Sequence, residues 1–362
     1  MAGPHRRTTR HGMRGAALFP AVLVLLMATA ALAQQPEIRA QEEITVERLV
    51  IDARIIDSHG NPIEGLTRKD VRVRVDGRPA EVEAVEWVSE DKPLDTGAGA
   101  EPEKEEIHGV PIPRGRLLVF FFQTDFQRQR VKGEMRILSY AKNLLGTLGP
   151  EDRVAVVSFD SHLKLRQDFT SDHRKIETAI DEALRIDEPP PPPLVPSPAL
   201  FTRIDRDAAR KAAQPETALL LIGNALIPIP GPKSLLLFGW GLGHLMGRNG
   251  VVMDKDYFPA KLALEQARTA VFALDISDAD YHSLEVGLGK VAADTGGFYA
   301  KTHIFPQIAM ERMERVLAGH YEVVIKVPPG PRGLHKVELE VPHRRDAEVL
   351  ARSMFDDALR QK

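Results

Sequence analysis

The stretch Leu117–Arg130 reads LLVFFFQTDFQRQR, and it decides the fold. Six apolar residues run directly into polar ones, and a helical pattern follows within a few positions. This pattern predicts a buried strand over 117–123 and a helix over 131–146. In an α/β protein, ligands and metals usually bind at the carboxyl ends of the strands. The first polar residue there is Gln123 rather than a carboxylate, so the question is what this strand end can hold.

The alternation of strand and helix continues from residue 114 to about residue 318. Further strands are predicted over 153–159, 163–168, 234–239, 269–275 and 297–301, and helices over 172–185, 203–213, 216–227, 257–267, 282–294 and 305–318. Repeated β-α units predict an α/β fold with a doubly wound, mostly parallel sheet and helices on both faces. The proline-rich insertion 188–198 is interpreted as a stiff loop, with a recognition motif as the alternative.

Both ends of the chain carry strand patterns. Residues 42–89 alternate apolar and charged residues and include a hairpin pattern around Asp76 and Gly77, and residues 320–352 return to strands. A sheet as thin as the first of these needs a partner layer. We therefore predict a discontinuous β-sandwich that flanks the α/β domain. Residues 90–113, which are acidic and rich in Pro, Gly and Ala, are predicted to be a linker or a mobile loop.

Composition limits the function classes. The chain has 362 residues, 43% of them hydrophobic and 27% charged, with a formal charge of −3 and no cysteine. This balance is typical of a globular protein with a substantial core and gives no support for nucleic-acid binding, which favours a basic face. Without cysteine, neither disulfides nor lipoprotein attachment is possible.

Residues 1–33 have the three parts of an export signal: a region with four arginines, an apolar core, and the small-x-small site Ala31-Leu32-Ala33. We predict that they are a signal peptide and that the protein is exported, either periplasmic or secreted. An uncleaved anchor is the alternative. No later segment has the pattern of a membrane span, because prolines and glycines interrupt the apolar stretch 218–246.

The sequence resembles the exported von Willebrand factor type A (VWFA-related) proteins of bacteria, in which such a domain follows a signal peptide and a short β module. The segments that carry the resemblance cover most of residues 44–355 in the family's order. They are VERLVIDARIIDSHGNPIEGLTRKDVRVRVDGRPAEVE, RLLVFFFQTDF, LGPEDRVAVVSFDSHLKLRQDFTSD, ARTAVFALDIS, KVAADTGGFYA and the terminal strand pair.

The resemblance implies a metal-ion-dependent adhesion site, for which the family uses Asp-x-Ser-x-Ser after the first strand, a Thr from a second loop and an Asp after the fourth strand. This sequence departs from that pattern. Gln123, Asp125 and Gln127 occupy the Asp-x-Ser-x-Ser positions, Thr217 matches the Thr, and Trp240 stands where the second Asp is expected. One carboxylate and one hydroxyl, Asp125 and Thr217, would make a weak site for Mg²⁺ or Mn²⁺, since a hard cation favours several carboxylates.

A register shifted by two residues would make Asp125 the leading Asp, but it would push Gln123 and Thr124 into the strand. Alternatively, Gln123 and Asp125 only cap the following helix and satisfy loop amides. Trp240 is interpreted either as an anchor for a partner or as a plug packed where the ion would have been.

Three functions follow from these residues. The first is a non-enzymatic interaction module whose crevice, formed by Gln123, Asp125, Gln127, Thr217 and Trp240, binds a protein or peptide partner without a cofactor. The second is a metal-dependent adhesion domain that uses Asp125, Thr217 and a further carboxylate, Asp254 or Asp275.

The third is a metal-assisted hydrolase, and no motif supports it. The histidines lack ligand spacing, no G-x-S-x-G occurs, and the Asp294-Thr295-Gly296 triplet matches a helix that ends at a glycine C-cap. GWGLGHLMG does not fit a dinucleotide loop and is interpreted as a flexible loop at the crevice. We therefore expect that the protein is not an enzyme.

Overall fold

The structure is a computed structural model that describes residues 47–89, 106–107, 110–111, 115–125, 127–191, 193–196, 198–247 and 250–358. The predicted signal peptide 1–33 and most of the acidic segment 90–113 lie outside the described residues. Among the helices that the structure describes, none is both long and apolar enough to cross a membrane.

The described strands and helices follow in chain order. The strands are β1 (Arg48–Ile56), β2 (Arg72–Val75), β3 (Arg78–Ser89), β4 (Glu106–Ile107), β5 (Val110–Pro111), β6 (Leu117–Gln123), β7 (Arg153–Phe159), β8 (Leu163–Thr170), β9 (Lys233–Gly239), β10 (His244–Met246), β11 (Gly250–Val252), β12 (Thr269–Asp275), β13 (Tyr299–Lys301), β14 (Gly319–Lys326), β15 (Leu334–Glu340), β16 (Glu348–Ala351) and β17 (Met354–Asp356). The helices are α1 (Arg128–Leu145), α2 (His173–Glu182), α3 (Arg206–Lys211), α4 (Pro215–Leu226), α5 (Tyr257–Gln266), α6 (Glu285–Thr295) and α7 (Pro306–Val316).

The central sheet contains six strands in the order β13-β12-β9-β6-β7-β8. All neighbours are parallel except β7 and β8, which form an antiparallel edge. The predicted α/β class is confirmed. The sheet is mixed, because β8 runs antiparallel to its neighbour. Every residue of β6 is buried, as a strand covered on both faces requires.

The two faces of β6 pack against different helices. Val119 and Phe121 belong to a core that includes residues of α3, α4, α5 and α6. Phe120 and Phe122 belong to a core that includes residues of α1, α2 and α7. This alternation follows from the two-residue period of a strand.

The chain ends form a seven-stranded antiparallel sheet in the order β16-β1-β14-β3-β2-β15-β17. Instead of two separate sandwich layers, it is one continuous sheet that curls around a single core, to which β1, β2, β14, β15 and β17 all contribute. The long strand β3 makes this possible, because its first residues pair with β2 and the rest pair with β14. The β2–β3 turn is the predicted one, with positive φ at Asp76 and Gly77.

The segment after β9 is a hairpin, so its interpretation as a flexible loop was wrong. His244–Met246 and Gly250–Val252 pair antiparallel, with Leu245 and Met246 exposed. Asn249-Gly250, a dipeptide typical of tight hairpin turns, was the available signal. Elsewhere the predicted elements occur with shifts of a few residues at their ends; α1 begins at Arg128, and α6 ends before Gly296, whose φ is 80°.

Candidate functional site

Gln123 fastens the end of β6 to the loop after β9. It is the last residue of β6 and only 1% of it is exposed. Its Nε2 donates to the carbonyl of Gly241 at 2.8 Å, and its Oε1 accepts from the backbone N–H groups of Trp240 and Gly241 at 3.1 and 3.2 Å. Gly239 permits this close approach, because a Cβ there would lie 2.6 Å from Oε1. The amide of Gln123 therefore makes three backbone hydrogen bonds.

Asp125 has a carboxylate that is already paired. Its Oδ1 accepts from the backbone N–H of Gln127 at 2.9 Å, and its Oδ2 forms an ion pair with the guanidinium of Arg130. The same guanidinium lies over the indole of Trp240, with Cζ 3.5 Å from the ring centre. Asp125, Arg130 and Trp240 thus form a carboxylate–cation–aromatic stack, named here the Arg130 stack.

Trp240 packs partly buried against the core that includes α1, α2 and α7. Its indole nitrogen is buried and has no hydrogen-bond partner among the residues that the structure describes. Gln127 is exposed and precedes α1 without a side-chain capping bond. Both the plug and the partner-anchor interpretations of Trp240 remain compatible with these contacts.

Glu134 is hydrogen-bonded to the backbone of Asp125 in the Arg130 stack and was missed by the sequence analysis. Its Oε1 accepts from the backbone N–H of Asp125 at 2.8 Å, and only 2% of the residue is exposed. Burial, together with the nearby charge of Asp125, raises the pKa of Glu134 to about 7. The available signal was helical spacing, since position 134 falls on the same stripe as the buried Ile137 and Leu138.

Glu134→Gln should make the protein more stable at alkaline pH. The folded-state pKa of Glu134 lies above the ordinary value of 4.5, so between about pH 4.5 and about pH 7 the folded state holds a proton that the unfolded state has lost. Stability therefore falls as pH rises from about 4.5 to about 7. The substitution keeps an acceptor for Asp125 and removes the charge, so the free energy of unfolding at pH 8 should rise by up to about 3 kcal/mol.

Urea unfolding of the Glu134→Gln variant at pH 5 and pH 8 measures this difference. Glu177→Gln, at an exposed position on α2, is the matched control and should change stability by less than about 0.5 kcal/mol at either pH. Equal stability of wild type and Glu134→Gln at pH 8 would contradict the assigned burial cost.

Thr217 does not join the other predicted site residues through any described hydrogen bond. Its Oγ1 donates to Asp256 Oδ2 at 2.7 Å. The preceding residue, Glu216, is 1% exposed and accepts from the backbone N–H of Gly243 at 2.5 Å, so it holds the base of the β10–β11 hairpin. Burial raises the pKa of Glu216, and the charge of Asp254 adds to the increase.

The two further carboxylates considered for a metal have other partners. Asp254 Oδ1 accepts from the backbone N–H of Asp256 at 3.1 Å. Asp275 lies at the end of β12 and accepts from His282 Nε2 and the hydroxyl of Tyr299, each at 2.8 Å. Burial raises the pKa of Asp275, but the hydrogen bonds from His282 and Ser277 outweigh it and hold that pKa below its usual value.

Within the described residues, two groups of three acidic or histidine side chains place their ligand atoms within 4.8 Å of one another. They are Asp52, His320 and Glu322, and Asp275, His282 and Glu285. Of the predicted metal ligands, Asp275 belongs to the second group, whereas Asp125 and Asp254 belong to neither.

No family model matches this sequence, and no curated protein matches it. Among solved structures, it is similar to a von Willebrand factor type A protein from Catenulispora acidiphila, with 10% identity over 87% of this chain and 76% of that one and a TM-score of 0.40. BatB from Bacteroides thetaiotaomicron has 12% identity over 56% of this chain and 97% of that one, with a TM-score of 0.36.

Proximal thread matrix protein 1 from the mussel byssus, whose structure has a zinc-occupied MIDAS motif, has 13% identity over 59% of this chain and 48% of that one, with a TM-score of 0.40. Sequence identities and TM-scores this low assign neither a function nor a fold family to this chain. The architecture of this chain is therefore defined by its own strand order and packing.

Proposed function

We propose that this chain is an exported, non-enzymatic interaction module of the von Willebrand factor A type, with a doubly wound sheet whose crevice binds a protein or peptide partner without a divalent cation. The sequence resemblance and the position of β6 inside a mostly parallel sheet support the class. The observation that carries the functional proposal is the Arg130 stack, in which a cation of the protein itself occupies the carboxylate that a metal would need.

The side chains at the crevice fit a metal ion poorly. Both atoms of the Gln123 amide are engaged with backbone groups, so its oxygen is not free to coordinate. Asp125 is neutralised by Arg130, and the Thr217 hydroxyl donates to Asp256. A hard cation would have to displace these partners and repel the guanidinium, while gaining a single carboxylate in return.

The same side chains suit a protein partner. Arginine and tryptophan are enriched among residues whose removal weakens protein interfaces most, because each combines a large contact area with directional polar groups. The side chains of Arg130 and Asp125 keep 16% and 21% of their surface exposed, so a partner can reach them. A stacked guanidinium also has less freedom to lose when a partner binds.

A metal-dependent adhesion domain is the second candidate, favoured by the close approach of Asp275, His282 and Glu285. In this arrangement Lys301 Nζ lies 2.8 Å from Glu285 Oε2, and Tyr299 and His282 already hydrogen-bond to Asp275. A divalent cation at this position would therefore compete with the ammonium group of Lys301 for the carboxylate of Glu285. Chelation separates this candidate from the leading proposal.

Capture of a partner from the exported protein fraction tests the proposed function. Immobilised wild type should retain the same partner with and without EDTA, whereas Trp240→Ala and Arg130→Gln should each reduce capture by roughly tenfold, as loss of a central interface residue does. Leu334→Ala, at an exposed position on β15, is the control and should capture normally.

Two results of that experiment would contradict the proposal. Release of the partner by EDTA would favour the metal-dependent candidate. Undiminished capture by both crevice variants would show that the partner binds elsewhere on the molecule.

A further inference from the structure

The proline-rich insertion after α2 has a conformation that its own sequence dictates. It reads EPPPPPLVPSP over 188–198, and its described part, residues 189–191 and 193–196, is named here the proline segment. Proline holds φ near −65°, and a residue that precedes proline favours an extended backbone, so this sequence favours a polyproline II helix. No residue of the proline segment takes part in a described backbone–backbone hydrogen bond, as a polyproline II helix requires.

Exposure along the proline segment follows the three-residue turn of a polyproline II helix. Its two partly exposed members, Pro189 and Val195, lie six residues apart, which is two such turns. The other members are exposed, and they are Pro190, Pro191, Pro193, Leu194 and Pro196. Pro190, Pro193 and Pro196 recur at every turn, about 9 Å apart, and are named here the proline ridge. Leu194, 90% of which is exposed, lies next to Pro193 along the chain.

Buried and half-buried side chains hold the start of the proline segment. Lys164 on β8 is 2% exposed, and its Nζ donates to the backbone carbonyl of Ile186. Two residues further on, Glu188 Oε2 lies 2.9 Å from Nε2 of His162, which is in the turn before β8. The residue before the first proline is therefore fastened to the α/β core.

A second buried group holds the chain just after the proline segment. Asp168 on β8 is 2% exposed, and its carboxylate accepts from the backbone N–H groups of Leu200 and Phe201 at 2.8 and 3.0 Å. Both of these apolar residues are buried in the core that includes α3 and α4. Because its two ends are held and its prolines are stiff, the segment has little conformational freedom to lose when a partner binds.

We propose that the proline ridge is a docking site for a partner protein whose groove is lined by tryptophan and tyrosine side chains. The rings of the ridge would lie against the aromatic faces of the groove. The backbone carbonyls of the segment make no described hydrogen bond, so they can accept from indole N–H and phenol O–H groups. The site shares no residue with the crevice and does not depend on the function proposed for it.

Other modes of peptide recognition do not fit this segment. Strand addition needs backbone N–H donors at alternate positions, and the five prolines at 189–193 have none. A helix docked in a groove is excluded by the same prolines. Recognition by charge is not available on the ridge, because its side chains are apolar and the neighbouring Glu188 is engaged by His162. An aromatic groove is the partner surface that remains.

Photo-crosslinking from position 194 tests the proposal. The full chain, with Leu194 replaced by p-benzoylphenylalanine, is irradiated in the exported protein fraction of the producing cells. It should form an adduct with another protein, and an excess of decaproline should reduce the yield of that adduct roughly tenfold, because decaproline occupies the same groove. A glycine-serine decapeptide is the control competitor and should leave the yield unchanged.

Two double variants of the crosslinking chain separate the ridge from exposed proline in general. Pro190→Ala/Pro193→Ala removes two rings of the ridge and should lower the adduct yield roughly tenfold. Pro329→Ala/Pro331→Ala, at exposed positions between β14 and β15, should change the yield by less than about twofold. Unchanged urea midpoints for both variants show that a lost adduct is not a folding defect.

The mapped position of the crosslink completes the test. Mass spectrometry should place position 194 beside tryptophan or tyrosine residues of the partner. The absence of an adduct, an adduct that decaproline leaves unchanged, or a crosslink far from any aromatic residue would overturn the proposal. An adduct between two copies of this chain would assign the ridge to self-association and would overturn it as well.

Discussion

Gly133→Ala should be among the most destabilising single substitutions in this chain. Gly133 lies on α1, and a Cβ at this position would come within 1.8 Å of the backbone carbonyl oxygen of Ile276, just after β12. Because the obstacle is backbone, it cannot rotate away as a side chain could. We expect the free energy of unfolding to fall by about 3 kcal/mol or more, at the upper end of overpacking effects.

Gly289→Ala is the matched control for this prediction. Gly289 is also within a helix, α6, but a Cβ there would meet no atom within 4 Å. Alanine should therefore stabilise the protein by up to about 1 kcal/mol through its higher helix propensity. Urea unfolding measures the free energy of unfolding of both variants. Equal effects would show that α1 does not pack closely against the backbone of Ile276.

Gln123→Ala should lower the free energy of unfolding by about 3 kcal/mol. The substitution leaves the backbone N–H groups of Trp240 and Gly241 and the carbonyl of Gly241 without their partner in a buried place, and it also opens a cavity. Gln307→Ala is the control. Gln307 is exposed, and among the described residues its amide donates to Glu311 on the same helix, so its loss should lower the free energy of unfolding by less than about 0.5 kcal/mol.

Gln123→Glu separates the roles of the two amide atoms. A carboxylate still accepts from the two N–H groups, but it cannot donate to Gly241, and it places a buried negative charge against that carbonyl. The variant should be destabilised at pH 8 by about 2 kcal/mol and should recover in acid, where the carboxyl group regains a proton to donate. Wild-type stability at pH 8 would contradict the described hydrogen bond.

Most strands and helices were predictable because they follow from local periodicity; the β10–β11 hairpin was an exception. LLVFFFQ is buried on both faces whatever its partners, and Asp76-Gly77 sets its own turn. The contacts that close the crevice were harder to predict, because the loop after β9, which carries Trp240 and Gly241, is distant along the chain from Gln123 and Arg130. Gln123 bonds to Gly241, 118 positions away, and nothing in QTDF identifies that partner. Arg130 and Glu134 look like ordinary charged residues of a surface helix until Asp125 and Trp240 are brought beside them.

The same difference between local signals and long-range contacts explains why the curled sheet was not predicted. Alternation in residues 42–89 and 320–352 indicated strands with one packed face, but it could not show that β3 pairs with different strands along its two parts. That arrangement depends on where β2 ends, after only four residues. The domain boundaries that we inferred from composition remain predictions.

Titration calorimetry with Mn²⁺ and Mg²⁺ on the purified protein tests the central claim most directly. The Arg130 stack and the engaged amide of Gln123 predict no stoichiometric binding at micromolar concentrations of either ion. One equivalent of either ion bound with micromolar affinity, and lost in Asp125→Asn, would contradict the account.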